Sequence, residues 1–221
     1  MKKLLFSYLL SSLIYLFGTL STSYAQFPGG INVPGLGGGS GKSSAIDLKA
    51  GKNELVKTFF ISFENYAQAL SLLSESLGLD AESKKITQAL NDSKNINTNE
   101  ADRLANSIKA TSEVSKQVEE KLKVGNLKLD VKAKEKYAKS IPFVAKGLIG
   151  TLELRPKSQQ MLSGIQANPI QAVSDLGPFA KAIPEVPNYI ATIVSITKLV
   201  VSGAEANNIE VKEVKSTLGK F

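Results

Sequence analysis

The chain has 221 residues, of which 43% are hydrophobic; its formal net charge is +7, and it contains no His, no Cys and no Trp. Without imidazole or thiolate groups it cannot assemble the usual zinc, copper, haem or iron–sulfur ligand sets, and nucleophiles that depend on Cys or on a Ser–His pair are excluded. We therefore expect no metal and no cofactor, and a catalyst would have to work with carboxylates, Lys, Tyr or Ser alone. The length of the chain suits one packed domain.

Residues 1–25 have the parts of a secretory signal peptide. The positive start Lys2-Lys3 is followed by a mostly apolar stretch and by the small-x-small cleavage site Ser23-Tyr24-Ala25. We predict cleavage after Ala25 and a periplasmic or secreted protein; an uncleaved membrane anchor is the alternative. Removal of the peptide takes away 2 of the 27 basic residues against 20 acidic ones, which leaves a net charge of +5.

Residues 26–44 are rich in Gly and Pro. Ordering such a backbone costs much entropy and buries little, so we predict a flexible tether. Its end, Gly41-Lys42-Ser43, is similar to the end of a phosphate-binding loop, but Leu36 stands where that motif needs Gly, and no strand precedes it. The segment 45–221 is then expected to be a single α-helical domain.

Helical periodicity begins in the segment 53–77, where apolar side chains recur at steps of three and four. This pattern predicts an amphipathic helix that ends with Gly78 just beyond its cap. Asp80 is suited to cap a short second helix. Asn97 and Glu100 have the spacing of a capping box for a third helix.

Proline interrupts the second half of the domain. A fourth helix is predicted from Asp130 towards Arg155, and Pro142 should cause a kink or a fresh start at Ser140-Ile141. The prolines and glycines of residues 156–187 predict short helices in that region.

One of these short helices should begin at Asn168-Pro169, with Asn as the cap and Pro at the first helical position. The apolar segment 189–201 predicts a helix buried in the bundle, since thirteen residues are too few to span a bilayer. No transmembrane span is therefore expected in the mature chain, and the tail after Asn208 has no clear pattern. We predict an all-α fold, an irregular helical bundle of five to seven helices.

An aromatic cluster is the first candidate site. Phe59, Phe60, Phe63 and Tyr66 share one side of the first predicted helix. They are expected to anchor the core, because buried aromatic side chains usually do. The alternative is that they line a pocket for a lipid or another apolar ligand, which would make the protein a carrier.

Glu75, near the end of the first helix, carries the one enzymatic hypothesis. Helical exported enzymes that cleave peptidoglycan can work with a single Glu, provided that an apolar pocket raises its pKa. The Gly-Leu-Met-Gln type of element that accompanies such a Glu in lytic transglycosylases is absent. A peptidoglycan-acting enzyme is therefore kept only as an alternative.

Residues 121–140 hold the unusual charge distribution, with seven Lys against two acidic residues, a net of +5 that equals the excess of the whole mature chain. Lys132, Lys136 and Lys139 have helical spacing and Lys128 precedes them, which predicts one cationic face. Such a face suits an anionic envelope component; nucleic acid is disfavoured, because Arg occurs only at positions 103 and 155. A solvated surface without a partner is the alternative.

These patterns together favour a non-catalytic function. We expect an exported interaction or scaffolding module of a bacterial-type cell envelope, whose partner is an envelope protein or an anionic envelope component.

Overall fold

The computed structural model describes residues 47–124 and 127–221. The predicted signal peptide and tether lie outside the described residues. The described part contains seven α-helices of seven or more residues, the four-residue α6, one 3-10 turn at Ile183–Glu185, and no strand. The predicted all-α bundle is confirmed. The helices are α1 (Leu48–Ser76), α2 (Asp80–Ser93), α3 (Glu100–Lys123), α4 (Val131–Ala167), α5 (Pro169–Leu176), α6 (Phe179–Ala182), α7 (Val186–Ala206) and α8 (Lys212–Leu218).

Helix α1 is the centre of the bundle, because α2, α3, α4 and α5 all contact it. It begins five residues earlier than the apolar pattern predicts, since the Asp47 side chain accepts hydrogen bonds from the backbone N–H groups of Lys49 and Ala50, each at 3.0 Å. Its end agrees with the prediction. Gly78 has φ +71°, and Leu79 N–H donates to the Ser74 carbonyl at 2.8 Å, which closes a Schellman motif.

Helices α1 and α4 run antiparallel and approach closely at two glycines of α4. A Cβ atom at Gly147 would lie 3.1 Å from the Tyr66 backbone nitrogen, and one at Gly150 would lie 3.0 Å from Ser62 Cα. In the space that the glycines leave, Ser62 Oγ donates to the Gly147 carbonyl at 3.1 Å and lies 2.9 Å from Thr151 Oγ1. A polar contact is thus satisfied inside the core.

Two predicted helix starts are wrong by one or two residues. Helix α3 is capped by Asn99, whose side chain accepts from Ala101 N–H at 2.8 Å, and not by Asn97. The Asn97 N–H instead donates to the Asn95 side chain at 3.0 Å, which forms a local turn before the helix. Helix α2 already includes Asp80 as its first residue, and no side chain caps it.

The fresh start that Pro142 predicts does not occur in helix α4. The helix begins after Asp130 as expected, but it continues through Pro142 and Pro156 for 37 residues, with no fresh start at Ser140-Ile141. Both prolines are exposed, and so is Ala138, whose carbonyl loses its helical partner at Pro142. Water can satisfy that carbonyl, while the opposite side of α4 stays packed on α1.

Residues 168–206 complete the core. Asn168 caps α5 by accepting from Gln171 N–H at 3.3 Å, with Pro169 at the first position, which confirms that prediction. Helix α7 has 21 residues, more than the thirteen of its apolar segment. Within the described ranges, Phe179–Ala206 is the one helical segment long and apolar enough to cross a membrane by length and composition. A core helix meets the same criteria, and α7 packs against α3 and α4.

Candidate binding surface at the end of α3 and the start of α4

The aromatic cluster lies inside the bundle. Phe59 and Phe63 are fully buried and stack with ring centroids 6.0 Å apart, and Phe59 also contacts the Tyr189 ring at 4.8 Å. Tyr66 is buried beside them, whereas Phe60 is partly exposed and carries the Arg103 guanidinium 5.3 Å from its ring centroid. The space between these rings is filled by side chains, so an apolar ligand would have to displace them.

Two tyrosine hydroxyls in this core have no hydrogen-bond partner in the described structure, those of Tyr66 and Tyr189. Burial raises the pKa of both phenols, and the nearby Thr197 and Ser62 hydroxyls offset part of the shift. Both phenols are therefore neutral at physiological pH. That protonation state suits packing, since a phenol acting as a base would need a lowered pKa.

Glu75 is held in an ion pair. Its carboxylate lies 2.7 Å from Lys136 Nζ of α4 and accepts a hydrogen bond from Ser83 Oγ at 3.2 Å. The hydrogen bond and the charge of Lys136 lower the pKa of Glu75. A general acid needs the opposite shift, so this geometry opposes the hypothesis of a glycosidic acid at Glu75.

Two of the four predicted lysines are paired with carboxylates, and two are not. Lys136 is bound to Glu75, and Lys139 donates to Glu135 on its own helix at 2.6 Å. Lys128 and Lys132 are exposed and form no ion pair with any described residue. The free cationic charge thus lies nearer the start of α4 than the spacing of the lysines predicts.

We call the end of α3 and the start of α4 the α3–α4 tip, comprising residues 121–124 and 127–134. It carries five lysines and one acidic residue, Asp130, and so has a net charge of +4. Two of its side chains are apolar and exposed, Val124 at 67% and Val131 at 85%. The tip therefore exposes lysines together with two valines, one just after α3 and one at the start of α4.

The backbone of the tip is fixed by Asn207 at the end of α7. The Asn207 amide donates to the Leu127 carbonyl at 2.9 Å, and its oxygen accepts from Leu129 N–H at 3.1 Å. Leu127 and Leu129 turn towards the core, so that Lys128 between them is directed outward. Asn207 thus anchors the segment directly before α4, which carries Lys128.

The lysines of α4 oppose the electrostatics of their own helix. The positive end of the helix macrodipole favours acidic side chains in the first turn. Helix α3 follows this rule, with Glu100 and Asp102 in its first turn, whereas α4, like α1, has no acidic residue there and carries Lys132 and Lys134 directly after the cap Asp130. These two lysines therefore gain no stabilisation from the dipole of their helix.

Sequence reasoning missed several parts of the tip. Lys121, Lys134, Val124 and Val131 were not singled out, and Asn207 lies 80 residues from the carbonyl that it binds. Lysines follow the cap Asp130 in a helical turn where acidic residues are favoured, and this pattern is visible in the sequence and includes Lys134. The exposure of the valines required the packed structure.

Other grooves offer less specific chemistry. One groove, of about 730 Å³, lies between α4 and the C-terminal residues, where Lys212 and Lys220 are balanced by Glu210 and Glu213. A second, of about 430 Å³, lies between α3 and α7. In the part of the chain that the structure describes, no group of acidic residues has the geometry of a metal site.

Comparison with known proteins adds no family to this description. No protein-family model, no curated protein and no solved structure matches the chain. The function is therefore inferred from the geometry of the tip.

Proposed function

We propose that the protein is an exported, non-catalytic interaction module that attaches to an anionic component of a bacterial-type cell envelope through the α3–α4 tip. The main supporting observation is the net charge of +4 on residues 121–134, in which Lys132 and Lys134 lie at the start of α4, where cations do not favour folding. Export is supported by residues 1–25 of the sequence.

The free lysines are also favourably placed for this role. Lys128, Lys132 and Lys134 are exposed; Asn207 anchors the backbone on both sides of Lys128, and Lys132 and Lys134 belong to α4, so little further backbone ordering is needed on binding. An anionic surface would contact all three without rearranging the fold.

Retention on phosphocellulose tests the charge of the tip. We would compare wild type with the triple variant Lys128→Glu/Lys132→Glu/Lys134→Glu, using protein purified from cells that express the full chain. The matched control is Lys57→Glu/Lys84→Glu/Lys146→Glu, which changes the net charge equally at exposed lysines that form no ion pair with described residues.

Wild type and control should be retained at low salt, and the tip variant should flow through. Equal loss of retention in both triple variants would show that only net charge matters, and would overturn the proposal that the tip is the binding surface.

Export is tested separately at the cleavage site. Because Ala25 occupies the −1 position, Ala25→Phe should block processing and leave a precursor that is larger by the 25-residue peptide. Normal processing of this variant would contradict the assignment of the signal peptide.

A further inference from the structure

We infer that the anionic partner is a lipid bilayer, with Val124 and Val131 entering the headgroup region while the lysines of the tip contact lipid phosphates. This inference rests on the proposed function and adds the class of ligand to it.

The two valines distinguish a bilayer from other polyanions. Phosphates of a polysaccharide or a nucleic acid would satisfy Lys128 and Lys132, but would leave Val124 and Val131 in water. A membrane interface supplies both parts of the match, since it places anionic headgroups directly above acyl chains. The tip has the composition of peripheral membrane contacts, which combine cations with a few apolar side chains.

The two most exposed isoleucines lack this combination. Ile96 is 88% exposed in the turn between α2 and α3, but its neighbour Lys94 is bound to Glu64 at 2.7 Å. Ile170 is 86% exposed on α5, and its flanking residues are uncharged. These two isoleucines are therefore suitable controls for general surface hydrophobicity.

Binding should depend steeply on the number of lysines and on the salt concentration. Each Lys near an anionic membrane surface strengthens binding by about fivefold at low ionic strength, and the attraction decays within a Debye length of about 10 Å at 0.1 M salt. Partial burial of two valines adds about tenfold. Together, these two contributions predict weak, reversible binding that depends on both the lysines and the valines.

Insertion can be observed directly, because the chain contains no Trp. We would introduce a single fluorophore as Val131→Trp and titrate vesicles of phosphatidylglycerol and phosphatidylcholine, then vesicles of phosphatidylcholine alone. Ile170→Trp is the matched control, since both positions are highly exposed. A blue shift at position 131 with the anionic vesicles, and no shift at position 170, is the expected result.

Affinity is measured in parallel by vesicle co-sedimentation. Val124→Ser/Val131→Ser should bind anionic vesicles about tenfold more weakly than wild type, yet be retained on phosphocellulose like wild type. Ile96→Ser/Ile170→Ser should behave as wild type in both assays. Circular dichroism of each variant checks that the helices are intact, as expected for substitutions of exposed side chains.

The outcomes separate the two proposals. Wild type that is retained on phosphocellulose but fails to bind anionic vesicles would overturn the lipid inference and leave an anionic polymer as partner. Unchanged vesicle binding by the double serine variant, or no blue shift at position 131, would overturn insertion while the proposed function stands. If reversal of the three tip lysines alters neither assay, the proposed function itself fails.

Discussion

The α1–α4 interface and the α3–α4 tip differ in how their residues relate to folding. At the interface, Gly147 and Gly150 allow two helices to approach, Ser62 finds hydrogen-bond partners, and Phe63 is fully buried. At the tip, cations lie at the positive end of a helix and valines are exposed. The interface residues pack the bundle together, whereas several residues of the tip do not contribute to packing.

The contrast separates residues that specify the fold from residues available for function. Natural sequences agree with their structures at most positions, and departures concentrate at sites that bind or react. Substitutions in the two regions should therefore have opposite signatures: loss of stability at the interface, and loss of binding without loss of stability at the tip.

The largest expected effect is at Phe63. Phe63→Ala should lower the free energy of unfolding by roughly 3–5 kcal/mol, because a fully buried ring leaves a cavity between α1 and its neighbours. Thermal denaturation followed by circular dichroism measures this loss. Phe60→Ala, at a partly exposed ring, should cost less. An unchanged melting temperature in Phe63→Ala would mean that the ring is not part of the core.

A smaller loss is expected where α4 approaches α1. Gly147→Ala/Gly150→Ala should lower stability by a net of about 2 kcal/mol, since steric overlap with the backbone of α1 exceeds the gain in helix propensity. Gly51→Ala is the control, because its Cβ would meet only the flexible Met161 thioether. Equal effects in the two variants would refute the close approach of the backbones.

The ion pair between Glu75 and Lys136 should give a still smaller, pH-dependent effect. The lowered pKa of Glu75 means that its contribution is present above the unfolded pKa of about 4.3 and is lost as pH falls through the folded value. Glu75→Gln should thus be slightly less stable than wild type at pH 7, with the difference vanishing once the pH has fallen below the lowered pKa of folded Glu75. A difference that persists at low pH would have another cause.

Local patterns predicted those elements that depend on neighbouring residues. The steps of three and four in α1, the glycine beyond its end and the Asn168-Pro169 start of α5 all follow from interactions within a few residues. The start of a helix is harder to predict where several possible capping residues precede it. Asn95, Asn97 and Asn99 alternate before α3, and only packing of the helix decides which one caps it.

Tertiary packing determined what the sequence did not reveal. Rules for proline predicted a kink or a fresh start in α4; the fresh start does not occur, because the packing of its inner side on α1 outweighs the hydrogen bonds lost at the prolines. Likewise, the spacing of the lysines predicted one cationic face, but Lys136 meets a carboxylate 61 positions away in the chain, which no local pattern contains.

The central claim, that the lysines at the start of α4 serve binding at a cost to folding, is tested most directly with Lys132→Glu/Lys134→Glu. Stability and retention on phosphocellulose should be measured on the same preparation. Acidic residues in the first turn should raise the free energy of unfolding by roughly 0.5–1 kcal/mol, while retention falls sharply. A variant that is less stable than wild type, or one that is retained as strongly, would contradict the account.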